Sequence, residues 1–211
     1  MEPVANSNYY LPNKIGLITL QSLEGVMGTK GVNAILNLAH LKDLINQPPS
    51  DTLQKEFDFS QVSAINQALE EIYGVRYGQN LALRAGKASF DEVLKDIGPF
   101  GGMKDPVYLA MQPQIKLKIG LIAMSRVFAQ ISDLVSTLEE NTGEFIFTVQ
   151  RCPACWQRHG LGMAVCSTIV GQLQAALKWA SGGIDFPVNE THCIAMGDPN
   201  CEFAIKKTPK T

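Results

Sequence analysis

The residues best suited to chemistry are five cysteines, all of which lie in the last third of the 211-residue chain. The first 151 residues contain none. The cysteines and one nearby carboxylate follow the patterns C-x2-C and E-x2-C-x7-C, with one further cysteine between the two patterns. These residues are Cys152, Cys155, Cys166, Glu190, Cys193 and Cys201. A soft thiolate set with one carboxylate in tetrahedral geometry suits zinc, and four protein ligands would make the ion structural.

The residues themselves leave three interpretations of these cysteines open. A metal site is the first, and it requires the predicted strand to bend or end between Glu190 and Cys193, because residues three apart on a strand face opposite sides. Buried thiols acting as small apolar side chains are the second. Redox chemistry at Cys152 and Cys155 is the third, although no thioredoxin-like βαβ pattern surrounds them. Disulfides are disfavoured, since the polar N-terminus shows no export signal and a reducing compartment is expected.

Composition and charge exclude several other classes of protein. The chain has 18 basic and 20 acidic side chains and a formal net charge of −2, so it lacks the positive surface expected of a nucleic-acid binder. No apolar run reaches the roughly 20 residues needed to cross a bilayer. We therefore expect a cytoplasmic protein with no transmembrane segment and no nucleic-acid partner.

Catalytic motifs are not visible in the sequence. There is no Ser-His-acid set, phosphate-binding loop or dinucleotide fingerprint. The segment Gly98 to Gly102 is glycine-rich, but no strand precedes it, so it is predicted to be a loop. These observations favour a protein that is not an enzyme.

Hydrophobic spacing predicts a mostly helical front over residues 1–141. One helix is predicted over residues 20–45, and its glycines are expected to lie in close packing. A second helix is predicted to begin after an N-cap at Asp58. Two more are predicted at 78–96, with an interruption near Gly86, and from Pro113 to about Glu140. The last of these has a second apolar stripe of Ile115, Ile119 and Ile122, which a core or a partner subunit could bury.

The C-terminal third has a different pattern. A strand at 144–150, a helix at 161–181 and two strands near 184–195 and 201–207 predict an antiparallel sheet with one helix on it. The predicted fold class is therefore α+β, a helical N-terminal part packed on a sheet formed largely by the C-terminal third, in a single domain spanning 1–211.

The end of the chain resembles a known family. Residues 190–203 contain the motif E-x2-C-x-A-x-G-D-x2-C-x-F, and Cys152-Pro153 and Cys166-x4-Gly171 precede it. Over residues 143–205 the chain is similar to the V4R (4-vinyl reductase) domain. That family includes bacteriochlorophyll 4-vinyl reductase-type proteins and aromatic-effector sensor domains, and the resemblance implies a Bet3-like fold.

The resemblance also implies a ligand set. Sensor-domain relatives hold zinc with three cysteines and a glutamate, and the motif carries these over onto Cys166, Glu190, Cys193 and Cys201. Cys152 and Cys155 do not match that set and are additional candidates for metal binding. The implied cofactors are structural zinc and a bound tetrapyrrole.

The function implied by the resemblance is that of a non-catalytic small-molecule binding protein. It would bind or carry a hydrophobic tetrapyrrole, a chlorophyll precursor, in pigment biosynthesis or photosystem assembly. The alternatives are a 4-vinyl reductase-type enzyme, an effector sensor and a protein–protein scaffold. The expected partners are a hydrophobic ligand, a second copy in a homodimer, and proteins of a photosynthetic assembly, at a site peripheral to a photosynthetic membrane.

Aromatic residues and one histidine are the candidates for the wall of a mainly apolar ligand pocket. They are Phe100, Tyr108, Phe128, Phe145, Phe147, Trp156, His159 and Trp179.

Overall fold

A computed structural model describes residues 2–97, residue 102 and residues 105–210. The helices are α1 (Asn13–Leu38), α2 (Asp43–Asn46), α3 (Phe59–Tyr73), α4 (Val75–Asp96), α5 (Pro106–Ala110), α6 (Pro113–Ile131) and α7 (Ser167–Ala180). The strands are β1 (Tyr10–Pro12), β2 (Lys55–Asp58), β3 (Ser136–Glu140), β4 (Glu144–Val149), β5 (Val188–His192) and β6 (Cys201–Lys206). The predicted loop from Gly98 to Gly102 lies, except for Gly102, outside the described residues.

The C-terminal part is an antiparallel sheet in the order β3-β4-β6-β5. Alternate residues of β4 are buried, as expected for a strand with one face on a core. Helices α6 and α7 pack on that face, and we call the resulting cluster the sheet core, with Leu173, Leu177 and Phe203 fully buried in it. The α+β class, with the helices first and the antiparallel sheet in the C-terminal part, is therefore confirmed.

The N-terminal part contains a second cluster, the front core, where α1, α3 and α4 meet. Ile35, Phe59 and Leu69 are fully buried there. A short two-stranded antiparallel ladder of β1 and β2, which hydrophobic spacing did not predict, lies beside these helices. Among the described residues, no helix has the combined length and apolar character that a membrane span requires.

Asp58 begins α3 as predicted from its residue type. Its carboxylate accepts a hydrogen bond of 2.7 Å from the backbone N–H of Ser60, while Gln61 accepts from the backbone N–H of Asp58. This reciprocal capping box stabilises the first turn of a helix. The same carboxylate accepts from the N–H groups of Ser7 and Asn8, so it also fixes the N-terminal segment.

Close packing was predicted at the glycines of the first helix, and at Gly25 and Gly28 that prediction is wrong. A Cβ added at Gly25 or Gly28 would meet no atom within 4 Å. Gly28 instead has a φ of 76°, which breaks α1 into two segments. Glycine is the residue that adopts this left-handed backbone without strain.

Close packing is found at two other glycines, where α4 crosses α7. A Cβ at Gly86 would lie 2.1 Å from the carbonyl oxygen of Thr168, and a Cβ at Gly171 would lie 2.1 Å from that of Leu83. The predicted interruption of α4 near Gly86 is therefore wrong. The helix continues to Asp96 because this glycine serves the crossing, which joins the front core to the sheet core.

The long helix predicted to run to Glu140 ends at Ile131. The hydroxyl of Ser132 donates to the carbonyl of Phe128 and accepts from the N–H of Leu134, which turns the chain out of the helix. Residues Ser136–Glu140 then pair with β4 as strand β3. The apolar spacing of Val135 and Leu138 fits a helix by chance, and the helical front thus ends before residue 141.

Candidate functional site

The five cysteines come together in a single buried cluster with Glu190. The exposed fraction of each cysteine is 0 or 1%. The shortest sulfur–sulfur separations are 3.4 Å for Cys152 with Cys166 and 3.4 Å for Cys155 with Cys201. Cys166 lies 3.7 Å from Cys201 and 3.8 Å from Cys193. Free thiols are present at all five positions.

Two connections after β4 bring three of these sulfurs into the cluster. Cys152 directly precedes a single turn of 3-10 helix, Pro153–Cys155, and Cys155 is the last residue of that turn. Cys166 is the N-cap of α7, at the positive end of the helix dipole.

The hairpin of β5 and β6 supplies the other ligand candidates. The pairing of β5 with β6 shifts between Glu190 and His192, and the strand ends before Cys193. This is the bend that is needed if Glu190 and Cys193 are to face one point.

The turn of the hairpin explains the G-D motif. Gly197 has a φ of 104°, and the carboxylate of Asp198 accepts a 2.8 Å hydrogen bond from the backbone N–H of Cys193. The backbone N–H of Ile194 also approaches the sulfur of Cys201 at 3.4 Å. These contacts hold Cys193 and Cys201 in place from the backbone.

Glu190 is the carboxylate of the cluster. One of its oxygens accepts a 2.8 Å hydrogen bond from the N–H of Cys166, while the other, Oε1, is buried without a hydrogen-bond partner among the described residues. Burial, together with the neighbouring Cys193, raises the pKa of Glu190 to about 8. A buried carboxylate oxygen without a partner is costly, so a cation at this point would stabilise the ionised form.

The thiols of the cluster have strongly perturbed protonation. Burial raises the pKa of Cys166 and of Cys152. Hydrogen bonds from its neighbours, Cys155 first, lower the pKa of Cys193, which makes it the preferred thiolate of the group. A set of thiols packed in mutual contact with a carboxylate can hold a thiophilic metal ion.

A second candidate site is an internal pocket between the front core and the sheet core. Its cavity volume is about 80 Å³, below the roughly 300–1,000 Å³ of sites for drug-sized ligands, so it suits a small molecule. Its apolar lining is Leu11, Ile15, Leu23, Val62, Ile65, Ala85, Met124, Phe128, Leu134, Phe147, Val149, Pro153, Ala154, Ile169 and Leu173. Its polar lining is Thr19, Asn66, Ser89, Ser136, Thr168 and Gln172.

The polar groups of this pocket are bonded mainly to the protein. Asn66 donates to the carbonyl of Ala154 at 3.1 Å and accepts from the hydroxyl of Thr168 at 3.0 Å. Gln172 donates to Ser89 at 3.2 Å. No ionisable side chain belongs to the described lining. A ligand would therefore be held mainly by apolar contacts.

The structure places two of the predicted pocket residues, Phe128 and Phe147, in this lining. Tyr108 and Trp179 stack on each other elsewhere, at a centroid distance of 5.9 Å. Phe145 lies in the sheet core beneath Lys207. Aromatic residue type alone did not distinguish pocket residues from core residues, because Tyr108, Phe145 and Trp179 pack against other side chains and do not line the pocket.

Two further candidates, Trp156 and His159, also fall outside the pocket. The Trp156 ring packs between Tyr9 and Phe59, at centroid distances of 5.3 and 6.3 Å. His159 is exposed, and Phe100 lies outside the described residues. The polar lining was not predicted, because no signal in the sequence marks Asn66 or Thr168 as facing a cavity.

The pocket and the cysteine cluster share one segment of chain. In Cys152-Pro153-Ala154-Cys155 the two outer residues belong to the cluster and the two inner residues line the pocket. The buried hydrogen bond from Asn66 to Ala154 ties this segment to α3. A change in the cluster can therefore reach the wall of the pocket through a single residue.

No family model matches the chain, and no curated protein matches it. Solved structures of H-NOX proteins share its fold. The structure of the Fe(II) unliganded H-NOX protein from K. algicida superposes with a TM-score of 0.60 at 12% identity, over 95% of this chain and 97% of that one. An H-NOX protein from S. oneidensis in the Fe(II)NO ligation state gives 0.56 at 12% identity, over 95% and 100%. A structure from work on heme distortion in the H-NOX family gives 0.58 at 14% identity, over 95% and 97%.

These matches correct the family resemblance drawn from the C-terminal motif. The fold is that of H-NOX proteins, and none of the comparisons supports a V4R domain or a Bet3-like label. The predicted role in chlorophyll biosynthesis or photosystem assembly, the reductase alternative and the photosynthetic membrane have no support either. The predicted cofactors, structural zinc and a tetrapyrrole precursor, are corrected as well, because the names of the matching structures give iron, nitric oxide and heme.

Proposed function

We propose that this chain is a ligand-binding protein that encloses a small, uncharged and mainly apolar molecule in the pocket between its two cores. One observation carries the proposal, the described lining of 21 residues that contains no ionisable side chain. Burying a charged ligand there would leave its charge without a partner, which is costly. Apolar ligand surface, in contrast, is favourable to bury.

Heme, which the matching structures suggest, does not fit this pocket. Proteins hold heme iron with histidine, cysteine, methionine or tyrosine, and of these types the described lining contains Met124 alone. The three histidines, His40, His159 and His192, are exposed. The described lining also contains no lysine or arginine to pair with carboxylate groups of a ligand. The shared fold therefore does not carry the heme site with it.

Binding of an environment-sensitive apolar dye, N-phenyl-1-naphthylamine, tests the pocket directly. We expect saturable fluorescence enhancement with one dye per chain, and weakening by at least about tenfold in Thr19→Phe, whose ring would fill the lining at α1. Thr29→Phe is the matched control, because Thr29 lies on the same helix but is exposed. Equal binding by both variants would place the dye elsewhere and overturn the proposal.

Hemin provides the opposing test. We expect no stoichiometric complex with a sharp Soret band when the purified chain is titrated with hemin. A complex of one hemin per chain that is lost in Met124→Ala would show that the pocket is a heme site and would refute an uncharged ligand.

We further propose that the cysteine cluster is a metal site with ligands drawn from Cys166, Glu190, Cys193 and Cys201 and from Cys152 and Cys155. Support comes from the contact of all five sulfurs and from the unpartnered Glu190 Oε1. Thiolate ligands suit several soft and borderline metal ions, so the identity of the bound metal is to be determined by experiment. Elemental analysis of protein purified without chelators should find bound metal, and metal-free protein that keeps its full stability would overturn this assignment.

The prediction of a homodimer concerns the second stripe of α6. Ile119 packs inside the chain, against the cluster of Phe90, Leu94 and Tyr108, whereas Ile115 is 49% exposed. We propose that the stripe serves mainly the chain's own core. Light scattering of the purified chain distinguishes monomer from dimer, and a stable dimer that Ile115→Glu dissociates would contradict this.

A further inference from the structure

The cysteine cluster contains two complete sets of four metal ligands that share an edge. One set is Cys152, Cys155, Cys166 and Cys201, and the other is Cys166, Glu190, Cys193 and Cys201. Within each set the ligand atoms all lie within 4.8 Å of one another. Cys166 and Cys201 belong to both sets. This overlap suggests bridging thiolates.

We propose that the cluster binds two metal ions, bridged by the thiolates of Cys166 and Cys201. The first ion takes Cys152 and Cys155 as its terminal ligands, and the second takes Glu190 and Cys193. This inference rests on the proposed metal site and adds its nuclearity. Each ion then has four protein ligands, the closed coordination typical of structural sites.

The separations of the sulfurs agree with this arrangement. A metal–thiolate bond of about 2.3 Å gives a tetrahedron with an edge of about 3.8 Å. The shared pair, Cys166 and Cys201, lies 3.7 Å apart, and Cys166 lies 3.8 Å from Cys193. Each terminal cysteine of the first set contacts a different bridging cysteine. Cys152 contacts Cys166 and Cys155 contacts Cys201, each with a sulfur–sulfur distance of 3.4 Å.

A single ion would leave part of the cluster without a function. In the first set it would leave Glu190 buried, with Oε1 unpartnered, which is costly for a carboxylate. In the second set it would leave the fully buried Cys152 and Cys155 as thiols. Two ions use all six groups. Two divalent ions would balance four of the six negative charges carried by five thiolates and one carboxylate, and backbone N–H groups at Cys166 and Ile194 point at the ligands.

Native mass spectrometry of the full chain purified without chelators measures the stoichiometry without any substitution. Two ions per chain are expected. One ion per chain would overturn the binuclear assignment and keep the metal site, whereas a chain that binds none would overturn both. The pocket proposal is unaffected by any of these results, because it is tested with an apolar dye.

Variants locate the two ions. The metal-free chain is titrated with Co²⁺ under anaerobic, reducing conditions, and the visible absorbance of tetrahedral cobalt is expected to reach a plateau at two equivalents. Cys155→Ser and Glu190→Gln should each plateau at one equivalent. Glu202→Gln is the matched control for the carboxylate, because Glu202 faces His192 outside the cluster, and it should keep two.

Circular dichroism of each variant shows whether its helices are formed. A wild-type plateau at one equivalent, or a single equivalent in Cys155→Ser together with no loss in Glu190→Gln, would contradict the two-ion arrangement.

Discussion

The two candidate sites of this chain lie on either side of one short segment and have opposite chemistry. The cysteine cluster consists of six ionisable groups, five of them with an exposed fraction of 0 or 1%. The pocket has 21 described lining residues and no ionisable group. A buried ionisable cluster can be stable with a cation, whereas an apolar cavity is suited to an uncharged molecule. Similar burial therefore suits two different ligand classes, and residue chemistry decides which.

The largest expected effect comes from the shared edge of the cluster. Cys166→Ser removes a ligand of both sets, so we expect the free energy of unfolding to fall by at least about 3 kcal/mol, since metal binding to a folded site contributes directly to folding. Thermal or urea unfolding with and without a chelator measures this. The chelator should destabilise the wild type and leave the variant unchanged. Equal effects of the chelator on both would show that Cys166 is not needed for metal binding.

The helix crossing that joins the two regions should be nearly as sensitive. Gly171→Ala places a Cβ 2.1 Å from the carbonyl oxygen of Leu83, and forcing the helices apart should cost about 3 kcal/mol in unfolding free energy. The matched control is Gly25→Ala, where a Cβ meets nothing within 4 Å. That change should stabilise the chain by about 0.5–1 kcal/mol, because alanine favours a helix interior. Two variants of equal stability would refute the close crossing.

A smaller effect is expected at Asp58, in the front region. Burial opposes its ionisation, but hydrogen bonds from Ser60 and Ser7 outweigh burial and lower the pKa of its carboxyl group. Asp58→Ala should cost about 1–2 kcal/mol at neutral pH. The contribution is present above the unfolded pKa, near 4, and is lost as the pH falls through the lower folded pKa. The difference in unfolding free energy between the wild type and Asp58→Ala should therefore shrink in acid, and a constant difference would contradict the role of the charge.

The smallest effect concerns communication between the sites. Pro153 and Ala154 line the pocket while Cys152 and Cys155 hold the same turn in the cluster. Removing the metal should weaken binding of the apolar dye by a few fold, because this part of the wall loses its support. Dye titration before and after chelation measures this loss of affinity. Asn66→Ala frees Ala154 from α3, so chelation should weaken dye binding more in this variant than in the wild type. Identical dye affinity in both states would show that the sites are independent.

Much of the local structure was predictable because it depends on neighbouring residues. The cap at Asp58 and the strand from Glu144 each follow from residue type and spacing. The end of α6 was not predictable from apolar spacing, since Val135 and Leu138 suit a helix and a strand alike, and their pairing with β4 decided the outcome. The single-domain organisation over 1–211 stays a prediction.

The sequence by itself determined which groups are available, five cysteines and the E-x2-C-x7-C spacing, because ligand chemistry is a property of residue type. It also determined that the last third forms strands. Only the tertiary structure decided that Cys152 and Cys155 join the other three, that Gly86 and Gly171 serve a helix crossing, and that the pocket lacks ionisable groups. These features depend on contacts between residues far apart in the chain, and a motif in one segment does not specify them.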